Sequence, residues 1–213
     1  MNNTVFSIYE TLYNHYGNLN WWPAKTPYEV IIGAVLTQNT SWCNVEKAIA
    51  NFGTNLAPDF VYDVDINDLI DIIRPAGFFN QKAVYLKAIT QWFKKYNFDV
   101  QIAKREPLDT LRIELLNVKG IGKETADCIL LYALGLPTFV VDAYTVRLCE
   151  RYKINAGKGY DAIKTYFENN LPCDLQIYNN YHAFIVMCGK DCCRKNKPLC
   201  SDCPLGGTCM KLF

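Results

Sequence analysis

Cys193, Cys200, Cys203 and Cys209 lie near the end of a 213-residue chain with the spacing C-x6-C-x2-C-x5-C. Four thiolates so close along one loop form a cage for a metal centre, and their ligand chemistry suits an iron–sulfur cluster or a zinc ion. The other cysteines, Cys43, Cys128, Cys149, Cys173, Cys188 and Cys192, are scattered singly or fall outside any regular ligand spacing. A second constellation is Lys119-Gly120-Ile121-Gly122-Lys123-Glu124-Thr125. Glycines at alternate positions let the backbone turn tightly and aim successive N–H groups at an anion, at the positive end of the next helix. Such a turn seats a DNA phosphate or simply joins two helices. The third is Asp142 in Val140-Val141-Asp142-Ala143-Tyr144-Thr145-Val146-Arg147. A carboxylate between an apolar stretch and a new helix is an N-cap, a reactive group, or both.

The elements that position these residues read as helices. Thr26-Pro27-Tyr28-Glu29 supplies an N-cap, a Pro at the first helical position and a Glu two further on. Tyr28, Ile31, Ile32 and Val35 then recur at helical spacing, which predicts an amphipathic helix. Pro107 starts another helix with Leu108, Leu111 and Leu115 on one face. After the glycine turn, Ala126, Ile129, Leu130 and Ala133 mark a third. The β-looking stretches Phe60 to Ile66 and Thr138 to Val141 are isolated, and no alternation builds a sheet, so the fold class is all-α. Breakers at Trp21-Trp22-Pro23 and Gly135-Leu136-Pro137 permit a middle helical domain, with the two terminal segments forming a second.

Half the residues are hydrophobic and 14% aromatic, enough for a substantial core and too apolar for a disordered chain. No apolar run nears the roughly 18 residues of a membrane span, and MNNTVFSIYE lacks the pattern of an export signal, so a cytoplasmic protein without membrane association is expected. In that setting the cysteines serve as thiols or ligands rather than disulfides. A net charge of +1 announces no polyanionic partner, so a nucleic acid must be met by a local patch.

Together the glycine turn, the Asp142 segment and the cysteine spacing resemble the endonuclease III family of base-excision DNA glycosylases, in the helix-hairpin-helix superfamily with a Gly/Pro-rich loop and an essential Asp. The resemblance spans roughly residues 25 to 209. It implies two helical domains with the active-site cleft between them. One is a six-helix barrel with the helix-hairpin-helix, residues 25–134; the other, residues 1–24 and 135–213, carries the iron–sulfur cluster. It implies Asp142 as the catalytic carboxylate, and Cys193, Cys200, Cys203 and Cys209 as ligands of a 4Fe-4S cluster, whose spacing favours iron–sulfur over zinc. It also implies a hairpin of Gly120, Gly122, Lys123 and Thr125 on the DNA backbone, and a cluster loop whose Arg194, Lys195 and Lys197 meet phosphates. The implied partner is double-stranded DNA containing a damaged base, bound by a monomer.

One departure bears on mechanism. Strand-cleaving members of the family carry Lys two residues after the second hairpin glycine, where this chain has Glu124. Lys123 is adjacent, but one residue turns the side chain by about 100°. Hydrolysis with Asp142 and water, without lyase activity, is therefore expected. Glu124 either orients that water from nearby or is a solvated carboxylate favoured by the helix dipole.

The motifs Gly33 to Thr40, Gly77-Phe78-Phe79-Asn80-Gln81-Lys82-Ala83 and the hairpin look closest to the 3-methyladenine glycosylase branch, which uses stacked aromatics. That carry-over falls on Trp21, Trp22 and Trp42, whose other reading is core packing. Indole faces suit a cationic flipped base such as 3-methyladenine or 7-methylguanine. Gln38 is expected to fill the gap left by the flipped nucleotide, and Phe78 to wedge into the opposite strand. The alternatives are a glycosylase of the same fold for mismatched adenine, thymine or uracil, or an oxidised pyrimidine, and a noncatalytic DNA-binding iron–sulfur module.

Overall fold

The computed structural model describes residues 4–19 and 21–212. Met1, Asn2, Asn3, Asn20 and Phe213 lie outside it, so the first residues of the segment read for export signals are among those not described. The described residues form twelve α-helices and no strand, as the all-α expectation requires. None of these helices is long and apolar enough to cross a membrane. The chain divides into two compact units, Ala24–Leu136, and Met1–Pro23 with Pro137–Phe213.

In the first unit, α2 (Pro27–Leu36) begins as its residues dictate: Thr26 caps it by accepting the Glu29 N–H at 3.1 Å, with Pro27 in the first turn. It is not amphipathic, however. Tyr28 and every residue from Val30 to Leu36 are buried, because α3 (Trp42–Asn51), α6 (Phe79–Lys94) and α9 (Lys123–Cys128) surround it. A helix apolar on all sides belongs at the centre of a domain, and the period-based reading saw only one face of it. The β-looking Phe60 to Ile66 folds instead as α4 (Pro58–Asp63) and the start of α5 (Ile66–Ile73). Pro58 pre-sets the first turn of α4, and the Asp65 carboxylate accepts the Asn67 N–H at 2.8 Å to start α5. These local signals outweigh the β-propensity of the valines and aromatics. After α7 (Val100–Ala103), α8 (Leu108–Asn117) leads into the glycine turn and α9, which continues through a π-helical turn, Ile129–Ala133.

In the second unit, α1 (Thr4–Tyr16), α10 (Ala143–Tyr152) and α11 (Tyr160–Asn170) gather around α12 (Leu175–Asp191). Its core is aromatic. Phe139 stacks on Phe167 with centroids 4.5 Å apart, Tyr178 and Tyr181 present their edges to Phe139, and the buried Tyr181 hydroxyl donates to Val5 O at 2.8 Å, tying α1 to α12.

Thr138 to Val141 is extended but pairs with no strand, so its polar groups need other partners. Side chains of α11 supply them. Phe139 N–H donates to Glu168 Oε1 at 2.9 Å, the Lys164 ammonium donates to Thr138 Oγ1 and to Glu168, and Val141 N–H reaches the Tyr160 hydroxyl at 3.4 Å. The segment that delivers Asp142 is thus held by side chains rather than by a sheet.

Candidate active site

Asp142 ends this segment and caps α10. Its Oδ1 accepts from Thr145 N at 2.8 Å and from Thr145 Oγ1 at 3.0 Å, while its own N–H reaches Thr145 Oγ1 at 3.4 Å, a reciprocal capping box. The N-cap reading is correct, but it occupies only one oxygen. Oδ2 faces His182 Nε2 of α12 at 3.6 Å, with side-chain exposures of 10% for the aspartate and 7% for the histidine. Burial alone raises a carboxyl pKa; here the His182 contact and the Thr145 donors outweigh it and hold Asp142 below the usual carboxylate range. The site therefore contains a buried, ionised carboxylate with a fixed orientation. Sequence reasoning missed His182, one of two histidines in the chain, because nothing in Tyr181-His182-Ala183 marks it and its partner lies on a distant segment.

The hairpin lies in the other unit. Gly120 has φ +85°, a region closed to most side chains, and a Cβ there would strike the Tyr85 ring of α6. Gly122 caps α9, Lys123 and Glu124 occupy its exposed first turn, and Thr125 is buried. Gln38, just after α2, donates through Nε2 to Gly120 O at 3.1 Å and to Thr125 Oγ1 at 3.0 Å. Three residues expected to meet DNA separately are thus joined. The buried Lys82, 2% exposed, donates through Nζ to Leu36 O at 2.8 Å and to Ala76 O at 2.9 Å. It links the end of α2, which carries Gln38, to the turn before Phe78, and burial lowers its pKa to about 8. Phe78 has φ +48° and is 62% exposed, so its ring projects into solvent. Asp127, fully buried in α9, receives Arg112 of α8 at 2.8 and 3.1 Å, a two-pronged brace behind the hairpin.

The tryptophans separate. Trp92 is core, with Nε1 donating to Glu114 at 3.0 Å. Trp42 is the half-buried first residue of α3. Trp21 and Trp22, also half-buried, belong to the other unit, where the Lys190 ammonium of α12 lies 5.8 Å from the Trp21 ring centroid.

The four C-terminal cysteines follow α12 in the unit that contains Asp142, and α10 reaches them. Arg147 donates to Cys193 O at 2.8 Å, and the buried Arg151, 6% exposed, donates to Cys193 Sγ at 3.1 Å and Lys195 O at 3.2 Å. Lys211 N–H reaches Cys209 Sγ at 3.4 Å, and Gly206 N–H donates to Cys203 O at 2.8 Å. A Cβ on Gly206 would meet Cys200 O, so the loop closes tightly here. A guanidinium on Cys193 Sγ and a backbone N–H on Cys209 Sγ suit thiolates that hold a cluster. Among the described residues, no three His, Cys, Asp or Glu side chains converge on a single ion position. Cys188, set aside on spacing, places its Sγ 3.8 Å from Cys203 Sγ, a contact in which either thiol can donate. Arg194, Lys195 and Lys197 are exposed in the loop between the first two of the four.

A family model for HhH-GPD superfamily base excision DNA repair proteins matches residues 32–173. The chain is 50% identical over 212 residues to a Methanocaldococcus jannaschii protein provisionally named a DNA repair glycosylase, covering 97% of this chain and 96% of that one. Its structure is similar to that of the H. pylori 3-methyladenine DNA glycosylase bound to 1,N6-ethenoadenine, with TM-score 0.76 and 30% identity over 87% of this chain and 97% of the other. It shares the fold of endonuclease III in a non-covalent complex with DNA, with TM-score 0.82 and 21% identity over 97% and 94% of the two chains. The hairpin, the Asp142 segment and these matches agree, and the chain belongs to the HhH-GPD superfamily of base excision DNA repair proteins.

Proposed function

We propose that this chain is a monofunctional DNA glycosylase that, as a monomer, hydrolyses the N-glycosidic bond of alkylated purines, 3-methyladenine and 7-methylguanine, in double-stranded DNA. The observation that carries the reading is the Asp142 carboxylate, held ionised with Oδ1 committed to the cap and Oδ2 beside His182. The hairpin helix has Glu124 where strand-cleaving relatives carry lysine, so no amine stands at that position to attack the sugar. As the base departs with the electron pair of the glycosidic bond, positive charge develops on the sugar and Asp142 stabilises it. A water oxygen bonds to C1′ and gives up its proton to the carboxylate or to solvent. The products are a free base and an intact abasic strand.

In this reading residues 25–134, within the unit Ala24–Leu136, are the barrel domain, whose Gly120, Gly122, Lys123 and Thr125 receive backbone phosphates, and residues 1–24 and 135–213 are the cluster domain. Gln38 leaves its hairpin contacts to fill the gap in the stack, and Phe78 wedges the opposite strand. Trp42 of the one unit, and Trp21 with Trp22 of the other, each offer an indole face on which a flipped base can stack. The H. pylori relative's name supports an alkylated substrate. Cys193, Cys200, Cys203 and Cys209 would hold a 4Fe-4S cluster, which would brace the loop that carries Arg194, Lys195 and Lys197.

A panel of duplexes tests the proposal. Release of 3-methyladenine or 7-methylguanine, leaving strands cut only after alkali and no borohydride-trapped complex, is the expected result. Release only of mismatched adenine, thymine or uracil, or of an oxidised pyrimidine, reassigns the substrate. Binding without release of any base makes the chain a DNA-binding module.

A further inference from the structure

The two oxygens of Asp142 have unequal surroundings. Oδ1 is fixed by the Thr145 N–H and hydroxyl, both on the helix that Asp142 caps. Oδ2 faces away from that cap toward α12, where His182 Nε2 stands 3.6 Å away, with His182 buried and Asp142 largely so. Only Oδ2 has capacity left for a developing sugar cation or an attacking water, so the reactivity of the carboxylate depends on what adjoins that oxygen.

We propose that His182 is a positioning residue for base release, directing its Nε2–H at Asp142 Oδ2. This deepens the glycosylase reading and rests on it. A separation of 3.6 Å is an ion-pair distance rather than a formed hydrogen bond, and such contacts are commonly loose before substrate tightens them. The contact requires hydrogen on Nε2, which both the imidazolium and one neutral tautomer provide. Among the described residues, the charged or titratable group facing Asp142 from α12 is His182. From α11 the Tyr160 hydroxyl reaches the preceding Val141 N–H, and on α10 the partner is the uncharged Thr145. Burial favours a protonated carboxyl, and His182 is the largest influence opposing it. Without His182 the same pocket would drift toward neutral Asp142, which neither stabilises a cation nor accepts a proton. α12 also carries Gly189 against the Tyr144 ring, so the histidine sits on a helix in close register with α10.

The test compares His182→Phe, which keeps a planar ring without a donor, with His182→Gln, which restores an N–H at similar reach. Two readouts are taken on folded protein: single-turnover base release from a 7-methylguanine duplex, and the titration of the Asp142 carboxyl followed by 13C NMR. In His182→Phe, base release should fall by about 10- to 100-fold, as when a partner that orients a reacting ligand is lost, and the carboxyl should titrate at higher pH. Abasic-DNA affinity should hold, and His182→Gln should recover part of both the rate and the low titration. A merely structural histidine would lower the melting temperature in both variants and leave the titration of Asp142 in place. An unchanged carboxyl titration in folded His182→Phe overturns the proposal. The titration needs no turnover, so a wild-type protein that releases no alkylated base refutes the alkylpurine reading while the hold of His182 on the Asp142 carboxyl is still decided.

Discussion

Asp142 caps α10 and, in the proposed reaction, stabilises the sugar cation, and a single substitution separates the two roles. Asn caps a helix about as well as Asp, so Asp142→Asn should preserve the start of α10 while removing the charge that stabilises the sugar cation. Base release should fall by at least about 100- to 1,000-fold, with DNA affinity equal or higher because one anion near the phosphates is gone. Comparable turnover by the folded variant would rule out Asp142 as the reacting carboxylate. The same charge links stability to pH. Because the folded pKa lies below the unfolded value, the stabilisation is present above about pH 4 and is lost as pH falls through the folded value. The difference in melting temperature between wild type and Asp142→Asn should therefore be largest at neutral pH and shrink in acid. Asp142 was legible in the sequence because an apolar run, an acid and a new helix adjoin within a few residues. His182 was not, since its meaning comes from α12 packing on α10, a contact between segments that no local pattern encodes. Glu124 was legible as a departure, and Glu124→Lys should yield modest borohydride trapping where wild type yields none; efficient trapping by wild type would mean that another amine attacks the sugar.

At the scale of elements, the glycine turn and the loop between Cys193 and Cys200 belong to different units. Gly120 is constrained by its positive φ and by the Tyr85 ring, so Gly120→Ala should destabilise the protein by about 1–3 kcal/mol and weaken DNA binding. A melting temperature equal to wild type would mean that the turn relaxes freely. The loop between Cys193 and Cys200 is held from inside by Arg151, which leaves Lys195 and Lys197 exposed with Arg194. The triple alanine variant of these cations should bind DNA more weakly at every sequence, and the log–log salt slope should flatten by up to about one unit per lost phosphate contact. An unchanged slope would place the loop away from DNA. Helix starts were legible wherever a cap and a proline coincide, as at Thr26-Pro27. The all-round burial of α2 was not, because periodicity reports the sharpest face of a helix and says nothing about how many neighbours enclose it. Phe60 to Ile66 misled for the complementary reason: its β-branched and aromatic composition carries less weight than Pro58 and Asp65 at its edges.

Over the whole molecule, the all-helical class followed from the absence of strand alternation, and the family resemblance from three motifs none of which is specific alone. The cysteine spacing marked four thiols, but Cys188 beside Cys203 and Arg151 on Cys193 Sγ emerge only when α10 and α12 bring distant residues to the loop. As purified without oxygen the protein should be brown, with about four irons and four acid-labile sulfides per chain, and Cys200→Ser with Cys203→Ser should abolish the colour. Stoichiometric zinc without sulfide would refute the cluster. Mass spectrometry of the bases freed from methylated and undamaged DNA reads the proposed chemistry at its product. Wild type should free 3-methyladenine and 7-methylguanine from methylated DNA only, and Asp142→Asn should free neither above background. Release of other bases alone, or equal release by Asp142→Asn, would contradict that chemistry.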